Sequence, residues 1–220
     1  DSVLDTSSSG GGITFSSTID GGSNLDLLSG AGKIDIAGDV GAGTALTTLD
    51  INATGGSGVI EINDVGTSSA AGVTGATAIG NTSTGTLTLD GTVYTTNAAT
   101  YTAATGENID LTGGSDTTFT TSDDSITFGT GTVEMDNGSN LIIDTGTGGG
   151  AIDLAGGVMG TSSENITLTA GTGTVAIGAV GTGTEIADVS ITTTGSTTFS
   201  GDFAGAVSYT HLTLPTILPV

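Results

Sequence analysis

Carboxylates are the only plentiful side chains in this chain that could carry acid–base chemistry. The 220 residues include 23 acidic residues, one lysine, one histidine and no cysteine. Glycoside hydrolysis needs only two carboxylates. The candidate pairs are the adjacent Asp123 and Asp124, and Asp35 with Asp153 at equivalent positions of a repeat. Acids on strands and turns are usually solvated outward side chains, and we expect no catalytic residue here.

The other common catalytic chemistries lack their residues. A serine or threonine nucleophile needs a histidine base, and the single His211 lies in an atypical tail. Phosphoryl transfer needs a clamp of arginine and lysine, and no GxxxxGK[ST] motif occurs. The absence of cysteine excludes disulfides and thiolate metal sites. The sequence therefore predicts a non-enzymatic protein without a cofactor.

Two segments resemble calcium-binding repeats in part. The tandem pattern GGxGxDxUx holds calcium with carboxylates and turn carbonyls. The segments Gly21–Ser29 (GGSNLDLLS) and Gly113–Thr121 (GGSDTTFTT) begin in the same way. Both lack the middle glycine, and neither recurs after nine residues, so we expect no metal site.

The charge balance limits the partners. The formal net charge is −22, and such a surface repels nucleic acid and anionic lipid, which need lysine or arginine to neutralise phosphate. No run of eighteen apolar residues is present to span a membrane as a helix. We expect no nucleic-acid partner and no direct membrane insertion.

Short alternating segments predict the elements that position these side chains. Two apolar residues flank one polar or small residue, which puts the apolar pair on one face of a strand. Glycine recurs too often for helices. The predicted strand cores are Ile13–Phe15, Ile34–Ile36, Ile60–Ile62, Leu87–Leu89, Ile126–Phe128, Ile152–Leu154 and Val175–Ile177. Related units open at Asn24, Asn108, Asn140 and Asn165.

A longer repeat indicates how the strands assemble. Gly41–Gly55 (GAGTALTTLDINATG) aligns without a gap to Gly181–Gly195 (GTGTEIADVSITTTG). Repeats of short β-branched strands and glycine turns predict an all-β parallel β-helix, a β-solenoid of irregular coils. Coils of about 20–30 residues would give roughly seven to ten coils and a rod of roughly 35–50 Å. Disorder is the alternative for this composition.

The last fourteen residues differ from the rest. Val207–Val220 (VSYTHLTLPTILPV) holds both prolines and His211, and lacks glycine and acids. It could be a natural cap that closes the solenoid. Its first ten letters also resemble a translated transposase adapter from sequencing libraries. We expect residues 1–206 to be the repeat region, an internal fragment of a longer protein, and residues 207–220 to be a non-native tail.

The repeats Ile13–Gly55 and Ile166–Gly201 resemble the passenger repeats of filamentous haemagglutinin-like adhesins and autotransporters. The resemblance implies a right-handed parallel β-helix that is exported and displayed outside the cell or on the outer-membrane surface. It implies an adhesive or structural role, with a host-cell or matrix receptor or a glycan as partner. The rest of the polypeptide would stack on both ends.

The sequence leaves two sets of alternatives open. The stretch Gly66–Glu107, with Tyr94 and Tyr101, is either a binding excursion from the rod or a set of irregular coils. The chain could also belong to another extracellular assembly, such as a surface layer or a phage fibre, or to a carbohydrate-active β-helix enzyme.

Overall fold

The computed structural model describes residues 1–136 and 138–211, and within them every regular element is a β-strand. The strands form three parallel sheets that wrap around one core, so the chain is a β-solenoid of about eight turns. The predicted fold class is confirmed. No helix in the described ranges has the length and apolar character needed to cross a membrane.

The three sheets form the three sides of the coils. Sheet A has, in spatial order, β1 Ser2–Asp5, β3 Leu25–Leu28, β5 Leu49–Ile51, β7 Thr77–Ile79, β10 Ala99–Tyr101, β13 Ile126–Phe128, β16 Ile152–Leu154, β19 Val175–Ile177 and β21 Thr197–Phe199. Sheet B has β2 Ile13–Phe15, β4 Ile34–Ile36, β6 Ile60–Ile62, β8 Leu87–Leu89, β11 Asn108–Leu111, β14 Thr132–Met135 and β17 Val158–Gly160. Sheet C has β9 Val93–Thr95, β12 Thr117–Thr120, β15 Leu141–Asp144, β18 Asn165–Gly171, β20 Ile186–Thr193 and β22 Gly205–His211. All seven predicted strand cores and all four Asn-led units are strands in this arrangement.

The coils differ in length, as the irregular spacing predicts. In sheet A, Thr77 pairs with Ala99, 22 positions later, whereas Leu49 pairs with Thr77, 28 positions later. Eight steps between adjacent strands give a stack of about 38 Å, since neighbouring strands lie about 4.8 Å apart. The expected coil length and rod length are therefore confirmed.

The core consists of apolar ladders inside the coils. Strand alternation turns two side chains inward and one outward in most three-residue strands, and successive coils repeat the pattern in register. In sheet A, Leu27 pairs with Ile51 and Ile51 pairs with Ile79, and all three are fully buried. Ile34 and Ile152, both predicted to face inward, are also buried.

The third side of the solenoid changes along the chain. In residues 2–65, which we call the N-terminal half, it consists of single bridged residues: Ile19 pairs with Val40, and Val40 pairs with Val65. Val65 then pairs with Tyr94, where the strands of sheet C begin. In residues 93–211, which we call the C-terminal half, sheet C supplies a complete third side.

The two copies of the long repeat share a local structure but lie on different sides. Gly41 and Gly181 both adopt left-handed backbone, with φ of 68° and 70°. A Cβ at either glycine would collide with a carbonyl oxygen of the next coil. The first copy nevertheless leads into β5 of sheet A, and the second contains β20 of sheet C. The repeat therefore encodes a corner and the strand after it, whichever side that strand joins.

The binding excursion proposed for Gly66–Glu107 is wrong. This stretch contains β7 to β10, which continue the sheets, and both Tyr94 and Tyr101 are fully buried. Their rings join a core cluster: Tyr94 stacks on Phe119 with centroids 4.9 Å apart, and Tyr101 stacks on Phe128 at 5.2 Å. The two tyrosines pack inside irregular coils, so they are not contact residues for a partner.

The tail begins within a strand. β22 extends from Gly205 to His211, across the expected boundary at residue 206, and pairs in parallel with β20. Residues 212–220 lie outside the described part of the chain. Both interpretations of the tail, as a cap or as a non-native extension, stay predictions.

Candidate functional site

Asp35 and Asp153 do not form a pair. Each is the central residue of a strand whose neighbours are buried, so each carboxylate projects outward. Asp35 lies on sheet B in the second coil, and Asp153 lies on sheet A in the seventh coil. Five coil steps separate them by about 24 Å along the stack. Carboxylates this far apart cannot act on one glycosidic bond.

Asp123 and Asp124 lie at a corner of the solenoid, where both accept hydrogen bonds that hold the turn. Asp123 has left-handed backbone, with φ of 69°, and its Oδ1 accepts a hydrogen bond from the amide of Gly148 in the next coil. The backbone carbonyl of Asp124 accepts a hydrogen bond from the Thr121 hydroxyl. The Asp123 carboxylate thus links one coil to the next.

The acidic residues of the two segments that resemble calcium-binding repeats lie beside single side chains of the next coil and not in a shared ligand cluster. Asp26, in Gly21–Ser29, lies beside Asp50 of the next coil. Asp116, in Gly113–Thr121, accepts a hydrogen bond of 2.7 Å from the Asn140 side chain. Within residues 1–136 and 138–211, no three acidic or histidine side chains gather in a way that could hold a metal ion.

The structure does bring acids together between adjacent coils, in pairs. Asp26 and Asp50 are register partners on sheet A, and Asp110 and Glu134 are register partners on sheet B. Burial raises the pKa of Asp50, against the lowering effect of a hydrogen bond from the Ala53 amide, and the charge of Asp26 raises it further. Burial, followed by the charge of Glu134, likewise raises the pKa of Asp110. These stacked acids repel one another at neutral pH.

One further acid pair on sheet B holds the single lysine. Asp35 and Glu61 are register partners, and the Lys33 Nζ lies 2.6 Å from a Glu61 oxygen and 3.7 Å from an Asp35 oxygen. A hydrogen bond to Glu61 raises the pKa of Lys33. The lysine therefore neutralises part of a repulsive acid pair.

A surface depression beside Asp153 does not provide a hydrolytic pair. It has a volume of about 370 Å³ and is lined by threonine, glycine, Ala155, Phe128 and a single carboxylate, that of Asp153. Glycosidases place two carboxyl groups across the scissile bond. This depression lacks the second.

Sequence reasoning missed the outward face of sheet C. Two parallel rows of side chains project from it, and register pairs Thr118 with Ile142, Ile142 with Thr167, and Thr167 with Ser190. The second row contains Thr95, Thr120, Asp144, Thr169 and Thr192, and Val93 is the partner of Thr118 in the first row. The signal in the sequence was Thr-x-Thr, in Thr118–Thr120 and Thr167–Thr169, but a threonine-rich chain offers many such triplets.

The border of this face is a ladder of amides and acids. The Asn140 side chain donates to Asp116, and both the amide and the side chain of Asn165 donate to the Asn140 oxygen, at 2.8 and 3.1 Å. Asn165 is in turn the register partner of Asp188. This ladder ties the four coils together at the start of each strand of sheet C.

Comparisons of the chain with protein-family models, with curated proteins and with solved structures gave no match.

Proposed function

We propose that this chain is a structural and adhesive segment of a large bacterial exoprotein, displayed outside the cell or on its outer-membrane surface. In this proposal the solenoid is a stiff stalk, its faces are available for adhesion to a host-cell or matrix receptor or a glycan, and it has no enzymatic activity. The resemblance to adhesin passenger repeats and the continuous parallel stack both support this reading.

The exposure of core side chains in the two end coils is the observation that carries the proposal. Leu4 lies in the inward column of Leu27, yet it is 42% exposed, while Leu27 is fully buried. At the other end, Phe199 lies in the column of Ile177 and is 40% exposed. A further coil on each end would cover these side chains and pair the open strand edges. The rest of the polypeptide is the proposed partner at both ends.

The surface chemistry suits display outside the cell. A net charge of −22 favours solubility and opposes self-association. Lys33 is the single lysine, and the chain has no arginine, so proteases that cleave after basic residues find one site. A stalk of this kind would persist where such proteases are abundant.

Surface accessibility in the organism that carries the gene tests the proposal. Antibodies raised against the purified chain should label intact cells or the culture medium, and external protease should remove the signal while a cytoplasmic marker stays intact. Labelling that appears only after lysis would overturn the proposed location.

The oligomeric state separates the stalk from the fibre alternative. A stalk segment should sediment as an elongated monomer, because its three sheets already close one core in a single chain. A stable trimer in sedimentation equilibrium would favour a fibre module and count against the monomeric stalk.

A further inference from the structure

The outward face of sheet C differs chemically from the other two faces. Sheet A carries Asp26, Asp50 and Asp153 at outward central positions, and sheet B carries Asp35, Glu61, Asp110 and Glu134. The two rows of sheet C contain one charge, Asp144. The outward acids are therefore concentrated on sheets A and B, and the two rows of sheet C consist mainly of hydroxyl side chains.

The hydroxyls of this face are free for contact outside the protein. We call Thr118, Thr120, Thr167, Thr169, Ser190 and Thr192 the hydroxyl array. None of these six hydroxyls forms a hydrogen bond with a described protein group, whereas the corner hydroxyls of Thr145 and Thr193 bond to the carbonyls of Gly150 and Gly173. The threonines of the corners hold the fold, and those of the array face the solvent.

The backbone fixes the spacing of the array. Register partners lie about 4.8 Å apart along the stack, and residues two apart on one strand lie about 6.6 Å apart. Ladders of backbone hydrogen bonds hold both distances between backbone positions, so only the side-chain torsions of the array are left to be ordered when it binds a regular surface. The repeat along the stack is close to the oxygen repeat along the a axis of ice.

From this geometry we infer that sheet C binds ice, with the hydroxyl array as the contact surface. Each hydroxyl can hydrogen-bond to a lattice water, and each threonine methyl can occupy a lattice gap. A single contact of this kind is weak, but contacts on one rigid body add without a separate loss of freedom for each one. An uncharged lattice also suits the hydroxyl-rich rows of sheet C better than the acid-bearing faces of sheets A and B.

A crystalline polysaccharide is the competing flat partner. Sugar rings are usually held on aromatic side chains, and the two rows contain none. Tyr94, Tyr101, Phe119 and Phe128 are in the core, and the partly exposed ring of Phe199 lies in the last strand of sheet A. Water is therefore the lattice that the chemistry of this face favours.

Ice partitioning of the full purified chain tests the inference. A hemisphere of ice is grown slowly in a dilute protein solution, and the protein in the ice fraction is compared with serum albumin as a background standard. The chain should be enriched in ice well above albumin, and Thr169→Lys, which places a long charged side chain in the array, should reduce the enrichment to the albumin level. Ser190→Lys is the second variant, in case the first does not fold.

Thr127→Lys is the matched control, because Thr127 occupies an outward central position on sheet A, outside the array. Far-UV circular dichroism melting establishes that each variant is folded. Retention of ice enrichment in Thr127→Lys supports the assignment to sheet C. The inference is overturned if the unmodified chain is excluded from ice, or if folded Thr169→Lys and folded Thr127→Lys are enriched in ice to the same extent. It is also overturned if the chain sediments with insoluble cellulose or chitin and is not enriched in ice.

A gain of function sharpens the test. Ile142 and Asp144 interrupt the array between Thr118–Thr120 and Thr167–Thr169. Replacing both with threonine would join the two patches into one array and remove the single charge, and ice enrichment should rise above that of the unmodified chain. No rise in a folded double variant would contradict the assigned contact surface.

Discussion

The two halves of the solenoid close the same core in different ways. In the N-terminal half, one apolar residue per coil closes the third side through single bridges at Ile19, Val40 and Val65. In the C-terminal half, complete strands of sheet C do so. A single residue is enough to seal a core, but only a strand presents outward rows as well. On the third side, the N-terminal half therefore has isolated bridge residues and the C-terminal half has rows of outward side chains, whereas in the last two coils single bridges at Val180 and Phe203 continue the side of sheet B.

A cluster of four aromatic rings lies just beyond the point where the third side changes. Tyr94 is the register partner of Val65 on one side and of Phe119 on the other. Phe119 contacts Tyr101 and Phe128 edge-on, with centroids 5.3 and 5.0 Å apart. Aromatic pairs of this geometry add about 0.5–1.5 kcal/mol each beyond the area they bury. We infer that the cluster couples the stability of the two halves.

A buried charge in either half should have the largest effect. Ile34→Asp and Ile152→Asp each place a carboxylate in the core without a partner, and should destabilise the fold by at least about 4 kcal/mol. Coils in a solenoid contact only their neighbours, so amide exchange should accelerate first in the half that carries the substitution. Thr100→Asp is the control, because Thr100 is an exposed outward position on sheet A; it should change stability by about 0.5 kcal/mol or less. Unchanged melting of Ile152→Asp would mean that its inward position is wrong.

Truncation within the aromatic cluster should rank second. Phe119→Ala leaves a cavity among Tyr94, Tyr101 and Phe128, and we expect a loss of about 3–5 kcal/mol in the free energy of unfolding in urea. The loss of coupling should also split one unfolding transition into two. The control is Phe199→Ala, since that ring is 40% exposed in the last coil; its cost should be about 1 kcal/mol or less. A single unfolding transition in folded Phe119→Ala would contradict the coupling of the halves by the cluster, whereas equal costs of the two variants would contradict the burial of Phe119.

The seven predicted cores and the four Asn-led units correspond to 11 of the 22 described strands, and the sides to which the strands belong could not be predicted. Apolar alternation located every predicted core, because a buried face leaves a period of two in the sequence. The assignment to a side depends on corners that vary in length, so Gly41–Gly55 and Gly181–Gly195 match in sequence and lie on different sheets.

The candidate site was harder to predict than the fold. The sequence left open whether Tyr94 and Tyr101 lie in a binding excursion or in irregular coils, and the structure buries both rings inside the coils. The hydroxyl array was missed because Thr-x-Thr has the same pattern as any other strand. The pairing register between coils is needed to distinguish an aligned row of free hydroxyls from threonines that are scattered over the surface.

The acid pairs of sheets A and B should produce a smaller, pH-dependent effect. The pKa of Asp50 is raised in the folded state, mainly by burial. Its contribution to stability is therefore complete below the pKa of the unfolded chain and is lost as pH rises through the folded pKa. Asp50→Asn keeps an oxygen that can accept the Ala53 amide and removes the repulsion with Asp26. Stability at pH 7 should rise by up to about 1 kcal/mol, and the gain should vanish at acidic pH.

Thermal melts of this variant across pH 3 to 7 give the measurement. Thr127→Asn, on the same sheet and without an acidic role, is the matched control. A gain that is the same at both ends of the pH range would show that repulsion between Asp26 and Asp50 is not its source.

Replacement of Lys33 beside sheet B should change the stability least. This lysine partly neutralises the stacked acids Asp35 and Glu61 of the N-terminal half. Lys33→Gln removes the cation from between Asp35 and Glu61, whose carboxylates then repel each other without compensation. Exposed ion pairs contribute about 1 kcal/mol or less, so the expected loss at low salt is of that size and should shrink in 1 M salt. The double variant Lys33→Gln with Glu61→Gln removes the repulsion together with the attraction, and should restore most of the loss. If the double variant remains as unstable as Lys33→Gln alone, the lysine acts through the packing of its aliphatic stem and not through its charge.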